Sequence, residues 1–519
     1  MRSTIAAVTT DKGCEMKKFR NDSAASKEVG TGTALTAVVI LAIVAANVIL
    51  YVLSLFVNIY ISPPVPDELV ISGSTDAVFE EAIKDGRKVK VSFCYPEETL
   101  KNHDTGSFVY NTAKQMEERY PDFIELEYIN FITMRDSKGD LVDFSKYKTD
   151  EHGNENKFNR STVIFECENN YKVVTDSYSS VGFADFYTLN TAGEALAYNG
   201  EEFFASMVNW VLYDEHKVAY FTVSHSEQFD PTFANILLAS GYYVKTVNLR
   251  EESVPSDAGL LIISNPKNDF ETSLEGSLVH TETERLREYI NRGGNLYVSL
   301  DPFVKKLPVL EGVLADYGIK VSRSLAGTDL ADIVKDPVNA ITTDGFTIVA
   351  DIAEGNELAN TVANTVAKFS GGRVILRMVA ALELSGGAKP LLTSSSSAVC
   401  ETSETVTRDD GNFTVAAYSE TVTSSGKSAK IFVVPSLYLT VADALVTNGY
   451  ANKNFLFSLF EEYYGSNTPA YGCNVVLYNT ETLENLSMSE AYIYTAVVAL
   501  VPLTLAITGI VILTKRKNR

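Results

Sequence analysis

Six residues hold the groups with which this chain could do chemistry: Ser224, His225, Ser226 and Glu227 in one run, then Asn265 and Asp301. An imidazole two residues from a carboxylate can move a proton, and Asp301 would add a second carboxylate for acid–base work. Hydroxyl and amide groups beside them can hold a ligand. A covalent nucleophile is missing, because no serine lies in a G-x-S-x-G turn and no cysteine follows these segments. The plainer expectation is that His225 and Glu227 cap the next helix or bond neighbouring loops. The six residues are therefore expected to form an edge for a ligand or partner.

Other motifs fail on spacing. Gly426-Lys427-Ser428 resembles the end of a phosphate loop, but the glycine needed five positions earlier is Thr421. Five cysteines, Cys14, Cys94, Cys167, Cys400 and Cys473, form neither a CxxC pair nor a His/Cys metal spacing. Neither a metal nor a cofactor is expected, and the pairing of the last four cysteines stays open.

The six residues follow apolar strands. Val218 to Val223, Leu260 to Ser264 and Leu296 to Leu300 are near-continuous apolar runs, as in a parallel sheet covered by helices on both faces. Between them lie a helix after Asp230-Pro231, closed by Gly241, and a helix from Thr281 and Glu284 (a capping box) to Gly293-Gly294. Strand, helix, strand, strand, helix, strand over Lys217 to Asp301 reads as a doubly wound α/β sheet, flavodoxin-like, with its binding edge where the strands end. A helix Pro308 to Tyr317 follows. Asp344 to Gly465 is β-rich, with a Ser-rich loop at Thr393 to Ser397, strands Phe413 to Tyr418 and Lys430 to Val434, and a helix Asn454 to Tyr464.

Upstream, the strand ending at Val89 to Cys94, the helix Phe108 to Tyr120 and the strand FIELEYINF precede a hairpin turning at Asn169-Asn170. That order is the order of a thioredoxin-like domain. The redox position reads Cys94-Tyr95-Pro96-Glu97, with one cysteine, so disulfide exchange is not expected. Gly200 to Tyr213 is read as a helix connecting the two domains.

Two charge-free runs bracket all of this. Thr33 to Ile61 lies inside an uncharged stretch between Glu28 and Asp67, and Ala491 to Thr514 precedes Lys515, Arg516, Lys517 and Arg519. A helix needs about 20 apolar residues to cross a bilayer, so both runs read as membrane spans. The first begins too far from Met1 and is too long for a signal peptide. Basic residues before the first and after the second span put both termini in the cytoplasm and Ser62 to Glu490 outside. The net charge is −22; with +2 on residues 1–33 and +4 on the tail, about −28 falls between the runs. So acidic a surface excludes nucleic acid and anionic lipid as partners of the outer domain.

The series VAYFTVSHSEQF, LLASGYYVKTVNL, VPSDAGLLIISNPKNDF, ERLREYINRGGNLYVSLDP and LPVLEGVLADYGIKV, continued through LTSSSSAV, resembles the extracytoplasmic domain of Gldg-type proteins. These are auxiliary components of ABC-2 type export systems. The resemblance covers most of Lys217 to Arg519 and implies a fold like the class I glutamine amidotransferases without the catalytic cysteine, hence a non-enzymatic domain. It implies a transporter permease and a separate ATPase subunit as partners. The family pattern usually has Gly-His-Gly-Glu where Ser224-His225-Ser226-Glu227 stands here.

The expected organisation is a cytoplasmic tail (1–32), a span (33–61), a thioredoxin-like domain (67–200), a connecting helix (201–215), a doubly wound domain (216–343) and its β-rich extension (344–470). A membrane-proximal segment (471–490), the second span (491–514) and a basic tail (515–519) complete it. The expected function is a membrane-anchored accessory subunit whose ectodomain docks permease, substrate or envelope. The alternatives are a freestanding sensor binding a cell-envelope polymer at the Ser224/Asn265/Asp301 edge, and an envelope hydrolase using His225, Glu227 and Asp301.

Overall fold

The computed structural model describes residues 70–477, apart from 176–181, 191–192, 229–230, 273–280, 324–328, 369–371, 404–405, 409–410 and 447–449. Both charge-free runs, and the expected cap Asp230, lie outside the described residues. Among the described residues no helix is long and apolar enough to cross a membrane.

The first lobe is a mixed sheet with helices. Helix α1 (Ser74–Lys84) leads into β1 (Val89–Phe93), and α2 (Glu97–Lys101) and α3 (Gly106–Arg119) lead to β2 (Ile124–Asn130). A short β3 (Arg135–Asp136), β4 (Val163–Cys167) and β5 (Asn170–Val174) complete the order β3-β2-β1-β4-β5. Strand β2 is parallel to β1, while β4 and β5 form an antiparallel hairpin. The turn falls at Glu168 and Asn169, one residue earlier than expected, because Cys167 pairs with Asn170 and Glu168 takes the left-handed φ of 57°. Alternation then follows from the pleat: Val89, Val91 and Phe93 face a core with Phe79, Val109, Met116 and Phe165, while Ile164 faces Phe144 and Tyr147 on the other side.

Helix α4 (Gly200–Val211) is no mere connector. Phe204, Val208 and Val211 sit in the first core, so the expected boundary at residue 200 cuts through it. Its apolar face is wide enough to serve two neighbours, β4 on one side and the second lobe on the other. Beside it, β6 (Tyr187–Leu189) and β7 (Ala195–Tyr198) form a hairpin.

The second lobe begins with β8 (Lys217–Thr222), α5 (Pro231–Ala239), β9 (Tyr242–Val247), β10 (Ala258–Ser264), α6 (Glu282–Asn291) and β11 (Leu296–Ser299). Strands β9-β8-β10-β11 are parallel in that order, so the chain goes left from β8 to β9 and then right to β10. The switch point therefore lies between β8 and β10. Alternate residues point to opposite faces: Ala219, Phe221, Leu260, Ile262 and Tyr297 meet α5, and Val218, Leu261, Ile263 and Val298 meet α6. Burial on both faces explains why these strands read as unbroken apolar runs.

Helix α7 (Pro308–Asp316) and β12 (Ile319–Val321) precede β13 (Ile333–Lys335), β14 (Thr347–Ile352), α8 (Glu357–Ala367) and β15 (Arg373–Arg377). Then come β16 (Leu382–Leu384), β17 (Lys389–Thr393), β18 (Val399–Ser403), β19 (Val406–Arg408), β20 (Thr414–Val422) and β21 (Ser428–Val434). Strand β21 lies parallel beside β11 and continues antiparallel through β20, β17, β14 and β15. The β-rich part thus supplies the fifth parallel strand and shares one sheet with the doubly wound part. Helix α8 was not anticipated there. Asn356 caps it, its Oδ1 accepting the Ala359 N–H at 2.9 Å. Helices α9 (Ala442–Val446) and α10 (Asn452–Ser458), the latter running on as a π turn over Leu459–Tyr463, close the lobe.

The chain then returns. Strand β22 (Val476–Leu477) pairs antiparallel with β7, so the described start of the segment expected to lie near the membrane adds a strand to the first lobe. Two residues of strand carry no periodicity, which is why the sequence did not announce it.

Candidate functional site

The strand-end loops of β8, β10 and β11 meet on one edge, as expected. The Lys267 N–H donates to the His225 carbonyl at 2.9 Å, and the Gln228 N–H to the Ser264 carbonyl at 3.0 Å. The Asn265 N–H donates to the Ser299 carbonyl at 2.9 Å, which ties the third loop to the second. Asn268 Nδ2 donates to Ser226 Oγ at 3.2 Å across the first two loops.

His225 is the centre of this edge, and it is fully buried. Its Nδ1 lies 3.1 Å from Glu227 Oε1 and its Nε2 3.0 Å from Glu282 Oε2. The ring stacks on Phe270 at 4.1 Å with 6° between planes. Glu227 also accepts the His225 backbone N–H at 2.7 Å, and Glu282 accepts the Glu271 N–H at 2.8 Å. Arg250 Nε stands 3.4 Å from Glu282 Oε1. Burial alone would lower the imidazole's affinity for a proton, but the hydrogen bonds to Glu227 and Glu282 and their charges raise its pKa above the ordinary 6.5. Burial likewise pushes the Glu227 carboxyl up, and the bond to His225 outweighs it, leaving the group lowered. A general base must reach its substrate within about 3 Å. Here the imidazole is held between two carboxylates under a ring.

Sequence reasoning named His225 and Glu227 but missed Glu282, Phe270 and Asp269. Glu282 stood in the run Thr281 to Glu284, read only as a cap; that cap is visible in the Thr281 N–H donating to Glu284 at 2.9 Å. Asp269 receives the Val309 and Leu310 N–H groups at 2.8 and 3.1 Å, so the β10 loop caps α7. Asp301 turns inward to its own loop, accepting the Phe303 N–H at 3.0 Å.

The remaining members are costly. Ser224, Ser226 and Asn265 have φ of 97°, 57° and 51°, a region that non-glycine residues enter at a cost of order 1 kcal/mol or more. Ser224 Oγ and Asn265 Oδ1 are shielded from water without a hydrogen-bond partner, and Asn265 is 3% exposed. An unpaired buried acceptor costs about 1–3 kcal/mol.

Elsewhere, no disulfide joins the cysteines within the described residues. Cys94, Cys167 and Cys400 are buried, and burial pushes the Cys94 thiol up to about 12. Among the described residues no group of three His, Cys, Asp or Glu side chains is placed to hold a metal ion.

No family model and no curated protein matches the sequence. Solved structures match in part. The mmIFT52 N-terminal domain is 16% identical with a TM-score of 0.35, covering 47% of this chain and 96% of its own. PurLQS from Thermotoga maritima is 11% identical with a TM-score of 0.28, covering 48% and 99%. A glutamine amido transferase from Methylobacillus flagellatus is 13% identical with a TM-score of 0.23, covering 39% and 66%. The fold itself is mixed α/β.

Proposed function

We propose that this chain is a Gldg-type, membrane-anchored accessory subunit, itself no ATPase, of an ABC-2 type export system. Its two charge-free runs anchor it, and its ectodomain docks permease, substrate or envelope. In this reading the first lobe is a thioredoxin-like domain and the second a flavodoxin-like sheet related to class I glutamine amidotransferases.

The observation that carries it is the convergence of the two ends of the described chain. Glu201, buried in the first turn of α4, accepts the Ser72 N–H at 2.8 Å, the Ser72 hydroxyl at 2.7 Å and the Asn474 N–H at 2.9 Å. Asn474 Nδ2 donates to the Val70 carbonyl at 2.6 Å. The first and last described segments thus lie side by side, an arrangement that suits a two-span anchor. A buried charge is costly unless hydrogen-bonded, and here Glu201 is bonded to both end segments.

The strand-end loop adds support. Where the family pattern has glycine, positions 224 and 226 adopt left-handed backbone, so serine here keeps the conformation that glycine takes freely. His225, shut between Glu227 and Glu282, fits a scaffold better than a catalyst.

Detergent extraction and affinity purification of the full chain test this. Recovery of a permease and an ATPase in stoichiometric amounts is expected. Recovery of neither, with the chain bound instead to envelope polymer, overturns the reading in favour of a freestanding binding module.

A further inference from the structure

We infer that the cleft between the two lobes is a binding site for the ammonium group of a small primary amine. This inference goes beyond the accessory-subunit reading and stands without it.

The cleft lies where α4 of the first lobe meets α5, α9 and α10 of the second, and Asp185, Asn199, Glu202 and Lys453 line it. Clefts between lobes are common places for small ligands. The free room is about 30 Å³, enough for one or two groups the size of a water molecule. It fits a head group rather than a whole sugar or nucleotide.

Its wall is rich in acceptors that lack donors. Asn199 stands at the N-cap of α4, where an amide oxygen ordinarily accepts a backbone N–H of the first turn. Its Oδ1 makes no such bond and is shielded from water without a partner. Asp185 is half-buried, and among the described residues no hydrogen bond reaches its carboxylate. Burial raises its pKa, opposed only by the charge of Lys172. That ammonium is itself held over rings, 4.2 Å from the centroid of Trp210 and 5.2 Å from that of Tyr243.

The donors of the same wall are largely engaged. Lys453 Nζ is held by Glu202 Oε2 at 2.6 Å, and the Ser206 hydroxyl donates to the Glu202 carbonyl at 2.7 Å. Asn199 Nδ2 donates to Thr188 Oγ1, and the Tyr187 hydroxyl to the Thr105 carbonyl at 2.7 Å. An anion entering here would meet unpaired oxygens. An ammonium brings three N–H donors and the charge that a desolvated carboxylate needs. Asp185, Asn199 Oδ1 and the second oxygen of Glu202 are acceptors for it, and Phe203, Ile236 and Leu445 line the cleft where a short alkyl group would pack.

Calorimetric titration of the detergent-purified full chain with methylammonium chloride, at constant ionic strength, tests this. Saturable one-to-one binding is expected, weakened about tenfold in D185N and in N199A, the loss of one hydrogen bond to a charged group. Tetramethylammonium, which has no N–H, should bind at least about tenfold more weakly than methylammonium. D185N should keep or raise the unfolding midpoint without amine, since the carboxylate has no hydrogen bond to lose. Absence of binding, or unchanged affinity in both variants, overturns the site. Equal binding of potassium overturns the amine assignment in favour of an inorganic cation. A lowered midpoint in D185N would make Asp185 structural and overturn the site as well. Each of these outcomes is read on the chain alone, so the accessory-subunit reading stands or falls separately on recovery of permease and ATPase.

Discussion

The Glu201 carboxylate accepts the backbone N–H of Asn474 at 2.9 Å while its other oxygen holds Ser72, so one side chain pins both ends of the described chain. Burial raises this carboxyl's pKa despite those bonds. Replacing it removes the bonds that hold Ser72 and Asn474, at a cost of about 2 kcal/mol, or roughly 30-fold faster local opening. Hydrogen exchange of E201A should therefore accelerate in residues 70–76 and 474–477 while β8 and β10 keep their protection. E201Q, which retains one acceptor oxygen, should fall between. Uniform acceleration throughout the chain would show that Glu201 supports the whole fold rather than the two ends.

His225 and Glu227 make a pH-dependent pair. The imidazole's pKa is raised from 6.5, so its contribution is complete below that value and is lost as pH rises through the folded pKa. The Glu227 carboxyl is lowered from 4.5, so its contribution is present above that value and is lost as pH falls through its folded pKa. Stability at this edge should be greatest between about 4.5 and 6.5. Denaturant unfolding of H225Q should lose the decline on the alkaline side. An unchanged alkaline decline would place its origin elsewhere.

Lys453 of α10 and Glu202 of α4 form an ion pair at 2.6 Å across the two lobes, with side chains 16% and 11% exposed. A pair so buried is expensive to break and cheap to replace. K453A should destabilise by about 3–5 kcal/mol, whereas the double variant K453M/E202L should lie within about 1 kcal/mol of the parent. Unfolding midpoints of the single and double variants check this. Equal losses in both would mean that the charges themselves join the lobes.

Cys94 directly follows β1, and it is fully buried with its thiol pushed up to about 12. Thiolate, not thiol, is alkylated. Iodoacetamide at pH 8 should leave Cys94 unmodified in the folded chain and label it fully in denaturant, as mass mapping would read. Rapid labelling in the folded state would contradict the burial of β1.

Much of the second lobe was legible because its signals are local. Strands buried on both faces read as apolar runs, and Gly241, Thr281 and Gly293 mark helix ends by caps that act within a few residues. What the sequence hid is long-range. Glu282 reaches His225 from the next helix, β21 enters the parallel sheet after the whole β-rich part, and β22 comes back to β7. Nothing in Glu201 marks it as a junction, since an acidic residue in a helix's first turn is ordinary. The site was half visible: its residue types were readable, while the positive φ at Ser224 ran against what serine prefers.

The proposed function makes this chain the membrane-anchored accessory subunit of an ABC-2 type exporter. Affinity purification of the full chain from mild detergent measures this most directly. An ABC-2 permease and its ATPase should be recovered with the parent chain. Recovery of the chain with neither subunit would contradict it.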